Sequence, residues 1–366
     1  RLDKINQVGN KKWKTDVKDQ VFNGPFKLTA WKKNDKITLK KNPSYWNAKK
    51  VKLQKVTYTT TDKPSTVLSL MQSGQLDALS ASGKQIADFN KLAKSNKLVS
   101  RTQNGLGTTV LIMNQHNGGT QGLFKNTKVR EAFSLSINRN DYNKAVSDGQ
   151  DKLAYTMAPP TLNVGSTNYG KYVGNPLKEA QAQYNTKAKR QALLKEGLKE
   201  LGKSTDLSKL NFVYLTVGSD DTGTWLKQAI KEQLGVKVTI KTAPDDASFI
   251  QIRNNNQYDL MNNGWSASAD PNSYLSLWNS NNGFQKFFGG YSSKTFDDLD
   301  NKLNGNLPTK ERLALYKQLE TQLVAKDFGV VPLTNPQSKV YINKSVKNLQ
   351  TTVFGGTFNY TYASKK

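Results

Sequence analysis

The sequence contains no cysteine and one histidine. The first absence excludes disulfides, thiolate metal sites and cysteine nucleophiles, and it suits a secreted bacterial protein that needs no redox chemistry. The second leaves any Ser-His-Asp triad or histidine-built zinc site to form around His116 alone, although such sites draw on several partners. An isolated histidine reads instead as a surface or structural residue, and the expectation is a protein that is not an enzyme and holds no metal or cofactor. Acidic residues are also scarce: 28 Asp and Glu stand against 54 Lys and Arg, for a formal net charge of +26. No run of 18 or more apolar residues exists, so nothing reads as a membrane-spanning helix. The sequence opens at Arg1 without a Met, a charged n-region or an apolar h-region, and a segment upstream is expected to be missing.

What is present points to a folded, two-part molecule. At 366 residues the chain exceeds the size at which one hydrophobic core stops growing. Hydrophobic residues make up 36% and aromatic residues 10%, too much apolar material for a disordered chain. The positive charge is diffuse, with only short clusters such as Lys32-Lys33, Lys40-Lys41 and Lys49-Lys50, and no zinc-finger spacing or RNA-binding signature accompanies it. This favours a surface exposed to polyanions, such as an anionic cell wall or the outer leaflet of a bacterial membrane, over a nucleic-acid partner.

Periodicity outlines the elements. Phe26–Trp31 and Ile37–Lys40 alternate apolar with polar residues and read as a hairpin, and Val51–Tyr58 as a third strand with one slip of phase. Asp62 and Pro64 introduce a helix that closes at Gly74. Thr108–Met113 is a continuous apolar run, a buried strand. In the helix after it Val129, Ala132, Phe133, Leu135 and Ile137 form the buried face, while Lys128, Arg130 and Glu131 stay solvated. Residues 154–175, with Pro159-Pro160, form an irregular connection. A helix at 187–201, a strand Leu210–Val217, a helix Trp225–Leu234 and a strand Val236–Ile240 then give a parallel βαβ layer. Further helices are expected at 248–255, 296–303 and 310–325, with strands at 258–261 and 330–333. The tail 345–366, with Phe354, Phe358, Tyr360 and Tyr362, is strand-like.

Six segments carry a resemblance in the order of a known family. Asn23-Gly24-Pro25-Phe26-Lys27-Leu28 with Trp31, and Lys41-Asn42-Pro43-Ser44-Tyr45-Trp46, come first. Ser73-Gly74-Gln75-Leu76-Asp77 and Asn126 through Val129-Arg130-Glu131-Ala132-Phe133 with Ile137-Asn138-Arg139 follow. Gly264-Trp265-Ser266-Ala267 with Asp270-Pro271 and Tyr274-Leu275, then Val331-Pro332-Leu333, complete the set. Together they resemble the family 5 extracellular solute-binding proteins, the oligopeptide- and dipeptide-binding components of ABC importers.

The resemblance implies an α/β, two-lobed periplasmic-binding-protein-like fold (type II, cluster C) with mixed sheets. The first lobe is incomplete, with 1–107 and 342–366 as its remainder and 108–341 as the second lobe. It implies an extracellular, lipid-anchored monomer at the cell surface. An interlobe cleft closes over an oligopeptide, or a related polar solute, for delivery to the membrane permease of the importer. The ligand lies extended, held by main-chain hydrogen bonds like an added strand. In peptide-binding members an Asp three residues after the loop Trp captures the α-amino group, because a desolvated ammonium needs an opposite charge. Here that position is Ser268, and Asp270 matches the family's second acidic position. Either Asp270 takes the role through a shortened loop, or the ligand lacks a free amino terminus.

The candidate ligand-binding set is Trp265, Ser266, Ala267, Ser268 and Asp270 in that loop, Asn114 after the buried strand, and Tyr155 and Pro159 in the irregular connection. Trp225 reads as packing, and Asp245-Asp246 as a turn or helix cap. The alternative function is a cationic surface adhesin for cell-wall or host polyanions, with no nucleic acid involved.

Overall fold

The computed structural model describes residues 2–9, 12–13, 16–61, 63–94, 98–352 and 356–366, so Asp62 and Phe354 lie outside the described residues. The chain forms two compact units. The first comprises Arg1–Ala81, Gln85–Gln103 and Ser338–Lys366, and the second Ser82–Lys84 and Asn104–Gln337. The sequence reading set these borders at 107/108 and 341/342. The fold is mixed α/β, as expected.

In the first unit the strands Phe26–Lys32, Lys36–Lys41 and Lys55–Thr59 form an antiparallel meander. Leu28, Leu39 and Val56 line up across it, and a bulge between Leu28 and Ala30 absorbs Thr29. The third strand begins at Lys55 and not at Val51, because Ala48–Lys50 forms a 3-10 turn and the Val51 carbonyl accepts Lys41 Nζ at 2.7 Å. The helix Pro64–Gln72 opens on its proline and ends at Gly74, whose φ of +73° lets the Gln75 and Leu76 N–H groups both return to the Leu70 carbonyl. A second sheet places Gln337–Asn343 between Ala78–Ser82 and Leu98–Asn104. Neither outer strand was foreseen; Ala78-Leu79-Ser80-Ala81-Ser82 has no β-branched or aromatic residue to signal it. The tail forms two short ladders, Val346–Lys347 with Ser364–Lys365 and Gln350–Thr351 with Phe358–Asn359.

The second unit is built on a six-stranded sheet in the order Lys237–Ala243, Asn211–Val217, Leu260–Ser266, Gly107–Met113, Val331–Asn335, Lys152–Leu153. The first three strands run parallel and the rest pair antiparallel, with the expected βαβ passing through the helix Asp221–Leu234. That helix starts one turn before Trp225, where the Asp220 side chain accepts the Thr222 N–H. Gly107–Met113 lies inside the sheet, and its alternation splits the interior into two cores. Leu111 and Met113 join Phe124, Phe133 and Phe212 on one side, and Val110 and Ile112 join Tyr274, Trp278 and Phe296 on the other. Each of these four strand side chains is fully buried, contributing about 1.5–3 kcal/mol by removal from water.

The expectation that Arg130 stays solvated is corrected. It is buried, because the helix Thr127–Ser136 turns it onto open carbonyls. Nη1 donates to Phe124 and Lys125 at 2.8 and 3.1 Å, Nη2 to Thr127 Oγ1 at 3.0 Å, and Nε to the Asp327 carbonyl at 2.9 Å. The planar fork with fixed donors makes this possible, and burial lowers the guanidinium pKa. Arg139 is buried as well, its Nε within 2.8 Å of the Ala154 carbonyl and 2.7 Å of the Pro332 carbonyl, with its pKa lowered by burial to about 10.

Glu320, on the helix Thr309–Thr321, is completely buried. It accepts the Met157 and Ala158 N–H groups at 2.8 and 2.9 Å and the Tyr169 hydroxyl at 2.7 Å. Burial outweighs these donors and pushes its pKa up to about 7.

Arg130→Lys should lower stability by about 2 kcal/mol or more, since an ammonium cannot reach carbonyls on three sides; urea denaturation measures this. A loss within 0.5 kcal/mol would mean a solvated side chain after all. For Glu320, the folded chain holds a proton between the ordinary pKa of 4.5 and about 7 that the unfolded chain releases. Stability therefore falls as pH rises through that window, by up to about 3 kcal/mol. Melting curves from pH 4.5 to 8 should show a steeper decline for the native chain than for Glu320→Gln, and parallel slopes would refute the assignment.

Candidate functional site

Inside the second unit's sheet, one side of the strand Leu260–Ser266 is open over much of its length. Toward Gly107–Met113 this strand pairs over its whole length, from Leu260↔Met113 to Ser266↔Gly107. Toward Asn211–Val217 it pairs only at Tyr214↔Leu260 and Leu215↔Met261, and from Asn262 onward that edge has no strand partner among the described residues. Between the diverging strands opens a cavity of about 450 Å³, with Thr216, Ser219 and Asp220 on one side and Asn262, Asn263 and Gly264 on the other. It sits at the carboxyl end of Asn211–Val217, where ligands of parallel sheets characteristically bind.

Side-chain contacts surround the opening. The Tyr214 hydroxyl donates to the Asp220 carboxylate, tying the strand to the turn that follows it. Asn262 Nδ2 donates to Thr222 Oγ1 at 3.1 Å, while its Oδ1 is buried without a partner. The Gly264 N–H is satisfied by the neighbouring Asn263 Oδ1 at 2.8 Å, with no strand opposite it. A Cβ at Gly264 would meet nothing nearer than the Thr108 carbonyl at 3.5 Å, so packing inside the unit does not demand glycine there.

The candidate residues 265–270 follow directly. Their first part is strand and not loop, because Trp265 and Ser266 continue the pairing with Thr108 and Gly107. Trp265 is half-buried against Phe284 and Phe288, at ring separations of 5.3 and 5.9 Å, and its indole N–H donates to the Ser273 carbonyl at 3.2 Å. Ser266 is exposed at the strand end. The Ala267 N–H donates to the Tyr274 hydroxyl at 3.2 Å. Ser268 Oγ lies 3.1 Å from Ser273 Oγ and accepts the Asp270 N–H at 3.2 Å. Asp270 Oδ1 accepts the Asn272 N–H at 3.0 Å and the Tyr316 hydroxyl at 2.9 Å, bracing the turn that leads into the short helix Asn272–Leu275.

The other candidates lie elsewhere. Tyr155 is half-buried beneath the Arg139 guanidinium, 5.1 Å from its ring centroid. Pro159 is buried, and its carbonyl accepts the Leu162 N–H. Their segment is anchored by Glu320, one turn along the same helix from Tyr316, so one helix braces both candidate segments. Asn114 is buried at the Met113 end of its strand, about 20 Å of extended chain from Gly107 and Ser266. Its amide is spent internally, Nδ2 on the Tyr258 carbonyl and Oδ1 on the His116 N–H. The His116 imidazole is packed over Gly290, where a Cβ would come within 2.3 Å of it, and burial lowers its pKa. Trp225 packs edge-on to Tyr142, and Asp245 caps the helix Asp246–Asn254. Tyr214, Asp220, Asn262 and Asn263 were missed in the sequence. The available signals were Ser219-Asp220 between a strand and a helix, and two Asn breaking the apolar run before Gly264.

Among the described residues no group of three His, Cys, Asp or Glu could hold a metal ion, and no helix is long and apolar enough to cross a membrane. Comparison with known proteins agrees with a binding role. Residues 3–286 match the family described as bacterial extracellular solute-binding proteins, family 5 Middle. The oligopeptide-binding protein OppA of Bacillus subtilis is 30% identical over 322 residues, 85% of this chain and 55% of OppA. The dipeptide-binding protein DppE of the same organism is 25% identical over 93% of this chain and 60% of DppE. The chain thus spans little more than half the length of these curated relatives. The substrate-binding domain of an oligopeptide ABC transporter from Bacillus anthracis superposes with a TM-score of 0.77 at 26% identity, covering all of this chain and 69% of that one. These relatives are binding proteins and not enzymes, and the chain belongs to the family 5 bacterial extracellular solute-binding proteins.

Proposed function

We propose that this chain captures oligopeptides outside the cell and hands them to the membrane permease of an ABC importer, working as a lipid-anchored monomer at the cell surface. One observation carries the reading: the edge of Asn262–Ser266 is left without a strand beside a cavity. An extended peptide supplies what such an edge lacks, giving affinity through main-chain hydrogen bonds whatever its side chains. Gly264 fits this role, since a residue without a side chain lets another backbone approach closely. Trp265, Ser266 and Ala267 continue the same line, with Ser268 and Asp270 at its end. Tyr155 and Pro159 stay in the proposed set through the helix that braces them, whereas Asn114, spent internally at the far end of the sheet, has the least support. The resemblance and the oligopeptide- and dipeptide-binding relatives support the same class of ligand.

A second reading, attachment to a cell-wall polyanion, has an observation of its own. The first unit carries 26 Lys and Arg against 7 Asp and Glu, and the second 28 against 21. In the meander Lys27, Lys40 and Lys55 stand directly opposite one another across three strands, on the face that also carries Lys36. Like charges facing across strands destabilise a sheet, and a bound polyanion would relieve that repulsion.

A mixed oligopeptide pool incubated with the chain should leave bound peptides visible by native mass spectrometry. N-methylation of alternate amides in a retained peptide should then weaken binding several-fold at each edge-facing position, and leave the intervening ones nearly unaffected. Retention of no peptide, or indifference to N-methylation throughout, would refute the edge reading. For the second reading, retention on immobilised polyphosphate should collapse between low and moderate salt. It should also weaken far more in Lys27→Glu/Lys40→Glu/Lys55→Glu than in Lys187→Glu/Lys195→Glu/Lys199→Glu; equal losses would mean that net charge alone is read.

A further inference from the structure

The cavity beside the free edge has a chemistry at odds with the rest of the chain. Lys and Arg outnumber Asp and Glu nearly two to one overall, yet among the described residues the cavity is lined by one carboxylate, Asp220, and by no Lys or Arg. The adjacent carboxylate, Asp221, has a cation on it, Lys84 Nζ at 2.5 Å. Asp220 instead accepts only neutral donors, the Tyr214 hydroxyl and the Thr222 N–H at 2.8 Å. Across the cavity the Asn262 amide is held by Thr222 through Nδ2, which leaves Oδ1 buried and unpartnered. The volume of about 450 Å³ lies within the range of about 300–1,000 Å³ typical of ligand pockets.

We propose that this cavity receives one side chain of the bound peptide and selects a cationic one, lysine or arginine, by pairing it with Asp220. This rests on the reading that a peptide lies along Asn262–Ser266. From that edge a side chain directed toward Thr216 and Asp220 enters the cavity past Gly264, where no side chain stands in the way. The selection works against the long-range field, because a molecule of net charge +26 repels a cationic peptide everywhere else. A preference for lysine at one position therefore reports a local feature of the site and not the overall field.

The experiment is isothermal titration of the full chain with alanine hexapeptides carrying lysine, norleucine or glutamate at each position in turn. Norleucine keeps the aliphatic stem and lacks the ammonium. At one position lysine should bind about ten- to a hundredfold tighter than norleucine, as a charge-assisted hydrogen bond allows, and glutamate should bind weakest. Asp220→Asn, which preserves the helix cap, should bring the lysine-to-norleucine ratio toward one. Equal binding of lysine and norleucine at every position would overturn the proposal while leaving peptide capture intact. A preference that survives Asp220→Asn would also overturn it, placing the selecting charge elsewhere. If no hexapeptide binds, the edge reading and the proposal fail together.

Discussion

Everything in the second unit depends on the strand Gly107–Met113. It is paired on both sides, with Leu260–Ser266 and with Val331–Asn335, and its side chains feed two separate cores alternately. A strand in this position cannot shift by one residue without exchanging the contents of the two cores, so its register is strongly specified. That register sets where Ser266 and Gly264 fall, and hence where the turn carrying Ser268 and Asp270 emerges. The open edge beside the cavity is thus a consequence of an interior that has no freedom to rearrange.

The chain treats charge in two ways. At the surface, lysine is spread with little compensation, most heavily in the first unit. In the interior of the second unit, charged groups are few and are held mainly by the backbone: Arg130 and Arg139 by carbonyls, Glu320 by two N–H groups and a tyrosine. Such groups cost desolvation and return positional definition. Arg139 joins the segment beginning at Ala154 to the strand Val331–Asn335, and Glu320 joins the next turn of the same segment to the helix Thr309–Thr321. The same helix reaches Asp270 through Tyr316, so buried polar contacts connect the sheet, the irregular connection and the turn at the strand end.

Much was legible in the linear sequence because it depends on short-range pattern. The alternation of Phe26–Trp31 and Ile37–Lys40, the apolar run 108–113 and the βαβ order over 210–240 follow from side-chain periodicity, which neighbours in sequence express without help. Family membership was legible from six short segments in order, and the segment from Gly264 to Asp270, proposed here for binding, was among them. The misreadings share a cause. Arg130 was placed in solvent because its charge is visible in sequence, whereas the four acceptors that pay for its burial come from residues as distant as Asp327. The strands Ala78–Ser82 and Leu98–Asn104 were missed because their pairing comes from Gln337–Asn343, far along the chain.

The residues of the sequence by themselves determined the fold class, the family, the absence of thiol chemistry and the dominance of positive charge, since these rest on composition and local order. Only the tertiary structure decided that the parallel ladder stops after two pairs, that the Tyr214 hydroxyl pairs with Asp220, and that a cavity without cations opens in a cationic protein. The reason is physical: an unpaired edge and an unmet acceptor are defined by what is missing opposite them, and what stands opposite a strand is set by residues tens to hundreds of positions away.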